Sequence, residues 1–201
     1  MIGDPPEFTI RSMKRGDLLA LDQIDPNFES DGYLAVETVQ HTIAPTFRLV
    51  ERPFEKPFVK EVGYRYDGAQ LEQARYRLEQ AESALMLVAE AGRRLVGILE
   101  VEGESWRNTA LIWALFVDQA WRGRGVGRAF LNRVEEWARA EGYRALVLET
   151  QTNNLPAIRF YHRHGYHITG LDTHFYTNTD VERREVALFM YKELEGTHRN
   201  S

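Results

Sequence analysis

The run Leu111-Ile112-Trp113-Ala114-Leu115-Phe116-Val117 is apolar without interruption, and a few residues later comes Arg122-Gly123-Arg124-Gly125-Val126-Gly127-Arg128. A short, bounded apolar run reads as a buried strand, and the glycines after it read as a turn. Beyond the turn, Phe130, Leu131, Val134 and Trp137 recur at helical spacing, so Gly127–Glu141 is expected as an amphipathic helix stopped by Gly142. A strand feeding a glycine-rich turn that opens a helix points to an α/β architecture. It also makes an anion site, because glycines let the backbone approach phosphate oxygens while the first helical N–H groups and the helix dipole face them. Arg124 and Arg128 add full charges, which suits a diphosphate better than a carboxylate.

Taken alone, the turn leaves a second reading open, a plain glycine-rich loop with solvated arginines. Glycines at 123, 125 and 127 do not have the G-x-G-x-x-G spacing of a dinucleotide-binding turn. A Gly-Lys pair followed by Ser or Thr, which a P-loop needs, is absent there too.

The rest of the chain can be read around this unit. Phe8–Met13 alternates as a strand, and Gly16-Asp17 opens a short helix carrying Leu18, Leu19, Leu21 and Ile24. Residues 25–37 hold Asp25, Glu29, Asp31 and Glu37 but no Lys or Arg. Prolines at 45, 53 and 57 break up residues 45–66, which read as an irregular arm or an extra hairpin, closing a groove or forming a homodimer contact. Asp67–Glu82 is expected as a helix with Leu71, Ala74, Leu78 and Ala81 on one face. Strands follow at Ala84–Glu90 and Leu95–Glu102, joined at Ala91-Gly92-Arg93, and then at Ala110–Val117. After the central helix come a strand at Ala145–Thr150, a helix at Asn154–His164 and strands at Tyr166–Leu171 and Val186–Lys192. Pro156 in the first turn and Gly165 past the end bracket the last helix. With no repeat or boundary evident, residues 1–195 read as a single α/β domain with a mixed sheet, and 196–201 as a flexible tail.

Composition narrows the chemistry. The 201 residues include no cysteine, which removes disulfides, thiolate metal sites and cysteine nucleophiles. A formal net charge of −5 argues against a nucleic-acid binder and favours a cationic small partner. No apolar run nears the roughly 20 residues that span a bilayer, and Met1–Glu7 does not begin a secretory signal, so no membrane association and a cytoplasmic location are expected. His162-Arg163-His164 suits a helix C-terminus, and no metal site is expected.

A second segment, Leu148-Glu149-Thr150-Gln151-Thr152-Asn153-Asn154, leads into the helix holding Ile158 and Tyr161. Asn154, Ile158 and Tyr161 share one stripe of that helix. Asn154 suits an N-cap. Tyr161 reads either as a core aromatic or as an acid, since a tyrosine hydroxyl with a reference pKa of about 10 can protonate a departing thiolate.

Arg122-x-x-Gly125-x-Gly127 resembles the Gln/Arg-x-x-Gly-x-Gly/Ala signature of the GNAT acetyltransferase superfamily, and the similarity extends over about residues 84–192, more weakly back to Phe8. The resemblance implies a mostly antiparallel central sheet flanked by helices and splayed between the strands at about 110–117 and 145–151. It implies acetyl coenzyme A as co-substrate. Its diphosphate would lie on Arg122, Gly123, Arg124, Gly125, Val126, Gly127 and Arg128. Its pantetheine arm would lie along the bulged strand at Leu115, Phe116 and Val117, with Asn154 touching it. Tyr161 becomes the acid. Glu149 becomes the base, with Glu100, Glu102, Glu104 or a water chain as alternatives.

The stretch from Leu148 to Asn154, together with Gly170-Leu171-Asp172-Thr173 and Glu185–Lys192, is similar to the streptothricin acetyltransferases. This implies direct acetylation of an amine on the β-lysine arm of a polycationic antibiotic. Glu29, Asp31, Asp172 and Glu185 are then candidate carboxylates for the cationic acceptor.

Overall fold

The structure, a computed structural model, describes residues 8–41, 43–61 and 68–194; the tail expected at 196–201 and the start of the helix expected from Asp67 lie outside them. Among the described residues nine strands run in chain order: β1 (Thr9–Ser12), β2 (Phe28–Val39), β3 (Thr46–Lys60), β4 (Ala84–Ala91), β5 (Arg94–Glu104), β6 (Thr109–Val117), β7 (Ala145–Gln151), β8 (His167–Asp172) and β9 (Ala187–Glu193). The α-helices are α1 (Gly68–Glu79), α2 (Val126–Ala140) and α3 (Leu155–Arg163), and the short helix after β1 is a 3-10 helix over Arg15–Gln23. Seven strands form one sheet in the order β1-β4-β5-β6-β7-β9-β8, while β2 and β3 form a sheet of their own. The β1–β4, β4–β5, β5–β6 and β8–β9 pairs are antiparallel, as a mostly antiparallel mixed sheet requires. No described helix is long and apolar enough to cross a membrane.

The chain divides into two compact units. The first holds residues 1–27, 61–147 and 193–201. Met13, Leu18, Leu21, Ile24, Met86, Val88, Leu95 and Ile98 form a core there, closed by Ala74 of α1. Leu71 and Leu78 pack on it as their spacing predicts, but α1 ends at Glu79, so Ala81 lies past it. Helix α2 buries Val126, Phe130, Leu131, Val134 and Ala138, a continuous i, i+4 stripe. Trp137 stays at the stripe's margin against Tyr143, ring centroids 5.5 Å apart. Gly97 on β5 is what lets α2 approach: a Cβ there would meet the Phe130 ring at 2.9 Å and the Phe116 carbonyl at 3.0 Å.

The second unit holds Phe28–Lys60 and Leu148–Lys192. Its β2–β3 hairpin, in register from Phe28↔Lys60 to Val39↔Thr46, is the extra hairpin rather than the irregular arm, and it takes in the acidic stretch as well. Pro53 and Pro57 fit within β3 because β3 is an edge strand, paired only with β2, where a missing N–H is tolerated. A bulge between Ser30 and Gly32, with Ser30 Oγ donating to the Gly32 carbonyl at 2.6 Å, lets Pro53 lie opposite Gly32.

Candidate active site

In the first unit the glycine turn is built to leave main-chain N–H groups open. Gly123 has φ 74° and Gly125 φ 88°, both left-handed, which glycine adopts without steric cost. Gly125 is the N-cap of α2 and supplies no side chain to the first-turn N–H groups. A Cβ at either glycine would point into open space. An uncapped helix start with no side chain over it fits a phosphate group.

The arginines of the turn divide their work. Arg122 donates to the main-chain carbonyls of Val117 at 3.2 Å and Pro26 at 3.0 Å, so it braces the turn. The Arg124 guanidinium lies 5.1 Å from the Trp121 ring centroid, and both Arg124 and Arg128 are exposed. Strand β6 feeds the turn through a bulge at Trp113: Glu100 faces Ala114, but Val101 faces Ile112. Leu115, Phe116 and Val117 then run opposite Leu99, Ile98 and Gly97.

One support was missed in the sequence. Asp118 is 2% exposed and accepts from the Arg94 guanidinium at 2.7 Å, from Ala120 N at 3.1 Å and from Asp25 N at 3.3 Å. Its place just before the turn, an N-cap position, was the available signal. Asp118→Ala should destabilise the protein by about 2 kcal/mol, since it orphans a buried donor and a cap while Arg94 can turn to water. The urea midpoint at constant slope measures it.

The second unit holds the titratable groups. Tyr161 lies on the buried face of α3 with Leu155 and Ile158 and is 8% exposed. Its ring meets Tyr166 at 5.5 Å and Phe160 at 5.3 Å, so it is a packed aromatic. It is also electrically coupled: burial, and then the charge of Glu149, push its hydroxyl pKa above the ordinary tyrosine value. Asn154 caps α3, its Oδ1 accepting from Ala157 N at 3.2 Å.

Glu149 on β7 is half-buried and accepts a hydrogen bond from the Tyr176 hydroxyl. Burial raises its pKa above the usual carboxylate range, Glu185 adds to the rise, and the Tyr176 bond and the Lys60 charge oppose it. Lys60 Nζ donates to Gln151 Oε1 at 3.3 Å and to the Glu185 carboxylate. Tyr176 is held by a tight turn in which the 1% exposed Asp180 carboxylate accepts from Tyr176 N at 2.9 Å, Thr177 N at 2.7 Å and Thr177 Oγ1 at 2.6 Å. Thr152, fully buried, ties the end of β7 down by donating to the Arg184 carbonyl and accepting from Val186 N, each at 3.0 Å.

Of the four candidate acceptor carboxylates, only Glu185 is brought to Glu149. Asp31 is exposed and shares Arg159 with Glu51. Asp172 accepts from His174 N at 2.8 Å, and Glu29 is exposed on β2 opposite Val59. The alternative base Glu100 is 1% exposed and held by Arg77 at 2.8 and 3.0 Å. Glu104 accepts from Thr109 at 3.0 Å and pairs with Arg107, and Glu102 is half-buried on β5. No group of three or more His, Asp or Glu suited to a metal occurs among the described residues. Lys60 and Tyr176 escaped the sequence reading because neither sits in a motif; distant segments deliver them to Glu149.

Residues 44–166 match the model of the acetyltransferase (GNAT) family. A streptothricin acetyltransferase of Streptomyces lavendulae is 30% identical over 91% of this chain and 93% of its own length. Among solved structures, a nourseothricin acetyltransferase aligns at TM-score 0.75 with 27% identity, covering 93% of this chain and 98% of that one. A Bacillus anthracis str. Ames protein solved in complex with acetyl coenzyme A has the same fold, at TM-score 0.72 and 22% identity over 93% of this chain and 99% of its own.

Proposed function

We propose, from the premise that this chain belongs to the acetyltransferase (GNAT) family, that it transfers the acetyl group of acetyl coenzyme A to a primary amine of a streptothricin-type antibiotic. In this reading the open N-terminus of α2, with Gly123 and Gly125, takes the donor's diphosphate. Arg124 and Arg128 add charge, and the backbone of Leu115–Val117 takes the pantetheine arm. Residues 1–195 act as one catalytic domain.

The observation that carries the amine chemistry is Glu149, a desolvated carboxylate held by a tyrosine hydroxyl. A carboxylate with a raised pKa is a better base toward an ammonium than a solvated one. Glu149 takes the ammonium proton, the freed nitrogen attacks the thioester carbonyl, the C–N bond forms and the C–S bond breaks. Tyr161 supplies the proton that the departing thiolate needs, and the second nitrogen proton, shed as the amide forms, restores the Tyr161 hydroxyl. The coupling of the two groups favours that order: once Glu149 is protonated its charge no longer raises the Tyr161 pKa, so Tyr161 becomes a stronger acid as the thiolate leaves.

Thiol release from acetyl coenzyme A tests this, with streptothricin, aminoglycosides, polyamines and a peptide as acceptors. Streptothricin should give the highest kcat/KM. A polyamine or peptide preference would keep the transferase and replace the acceptor, and no release above background would leave only an acyl-coenzyme A-binding module. Tyr161→Phe should lower kcat by about 10²-fold and leave acetyl coenzyme A affinity within about twofold. An unchanged kcat would remove Tyr161 as the acid.

A further inference from the structure

We propose that Lys60 is a specificity-determining residue of this enzyme, an internal alkylammonium in the seat that an acceptor's primary ammonium takes, so that acceptors are selected by their power to displace it. The inference rests on the reading of the Glu149 cluster as the amine-handling side of the reaction.

Three observations point this way. Lys60 ends in a compact ammonium on an unbranched stem, the same group as a primary amine substrate in its charged form. Its Nζ is held by Glu185 and Gln151, and its charge acts on Glu149, so it draws on the groups that a cationic acceptor would need. Lys60 is also the last residue of β3, its main chain fixed opposite Phe28, so it can leave by side-chain rotation alone. The two side chains of the Lys60–Glu185 pair are only 22% and 16% exposed. An ion pair that far out of water adds little net stability, which leaves room for another role.

The seat is selective by the donors it needs. Glu185 receives the Arg183 guanidinium on its other oxygen at 3.4 Å, and Lys60 reaches both Glu185 and Gln151, so its place is for a cation with several N–H donors. Primary ammonium groups meet that requirement, whereas quaternary ammonium groups have no N–H for Gln151.

Cadaverine serves as the probe, and calorimetry on the full chain measures its affinity for wild type, Lys60→Met and Lys60→Arg. Methionine keeps an unbranched stem without the charge, and arginine keeps a cation in place. Lys60→Met should bind cadaverine about tenfold more tightly, because the seat is no longer occupied in most molecules, while Lys60→Arg should bind like wild type. Weaker, equal or absent binding in Lys60→Met overturns the proposal, since a lysine that only propped Glu185 would lower affinity when removed.

The wild-type protein gives a second measure, independent of any variant's folding. Saturating cadaverine should increase the acylation of Lys60 by sulfo-NHS-acetate several-fold, read by peptide mass spectrometry, because displacement exposes the side chain. Protection or no change overturns the proposal. If Glu149→Gln kept full turnover, the reading of Glu149 as base would fall, and the cadaverine affinities would still decide the role of Lys60.

Discussion

Replacing Glu149 with glutamine is expected to lower kcat by about 10²–10³-fold while leaving acetyl coenzyme A affinity within about twofold. Glutamine keeps the size and can still accept from the Tyr176 hydroxyl, so the change isolates the loss of a proton acceptor. The pH profile sharpens the test. Burial holds the Glu149 pKa above the ordinary carboxylate range, and a base works only when ionised. The acid limb of kcat/KM in the wild type should therefore lie at higher pH than a solvated glutamate would give, and that limb should vanish in Glu149→Gln. Stability runs in the opposite sense. A carboxyl group whose pKa is raised by folding contributes stability at low pH, and this is lost as pH rises through the folded value. At neutral pH the buried charge is a cost, so Glu149→Gln should hold or raise Tm there. A variant with lower Tm as well as lower kcat would point to structural damage instead.

Gly125→Val should raise the Kd for acetyl coenzyme A by about 100-fold, equivalent to about 2.7 kcal/mol of binding. Two penalties combine. At φ 88° an L residue is strained, costing about 1–2 kcal/mol that a β-branched side chain makes worse, and relief of that strain tilts the first N–H groups of α2 off their target. The added side chain also stands in the open space over the helix start, where phosphate oxygens would approach. Equilibrium binding of coenzyme A, set against binding of a dephosphorylated pantetheine fragment, tests the claim. The loss should fall on the diphosphate-bearing ligand, and equal losses for both would refute a diphosphate cradle.

The elements that carry these effects were legible because each announces itself locally. Phe130, Leu131 and Val134 define α2 by spacing, Gly125 and Gly142 fall at its two ends, and Asn154 and Pro156 mark the start of α3. The β2–β3 hairpin was half visible. Its prolines looked like breaks, and Asp31-Gly32 has the composition of a turn, yet Phe28, Ser30 and Gly32 are buried between exposed Glu29 and Asp31 in a strand's period of two. What sequence cannot show is which distant side chains share one carboxylate. Glu149 stands out by its position before Asn154, but the Tyr176 hydroxyl that bonds it and the Lys60 charge that acts on it come from 27 and 89 positions away by tertiary folding, which leaves no periodic trace. Charge alone does not separate the acidic candidates either: Asp31 and Glu185 look equivalent in the sequence, but one pairs with Arg159 at the surface and the other with Lys60 beside Glu149.

The prolines of β3 have a consequence for how the molecule keeps its own company. A two-stranded ribbon offers a row of main-chain donors and acceptors on each flank, the template on which another chain can add a strand. Pro53 and Pro57 each delete a donor from β3, and Arg48, Glu51, Arg52, Glu55 and Lys56 put charge along the same strand. The ribbon is thereby guarded against strand-by-strand stacking. Any homodimer formed through this arm has to be made by side chains, and its strength would depend on salt rather than on a growing ladder of backbone bonds.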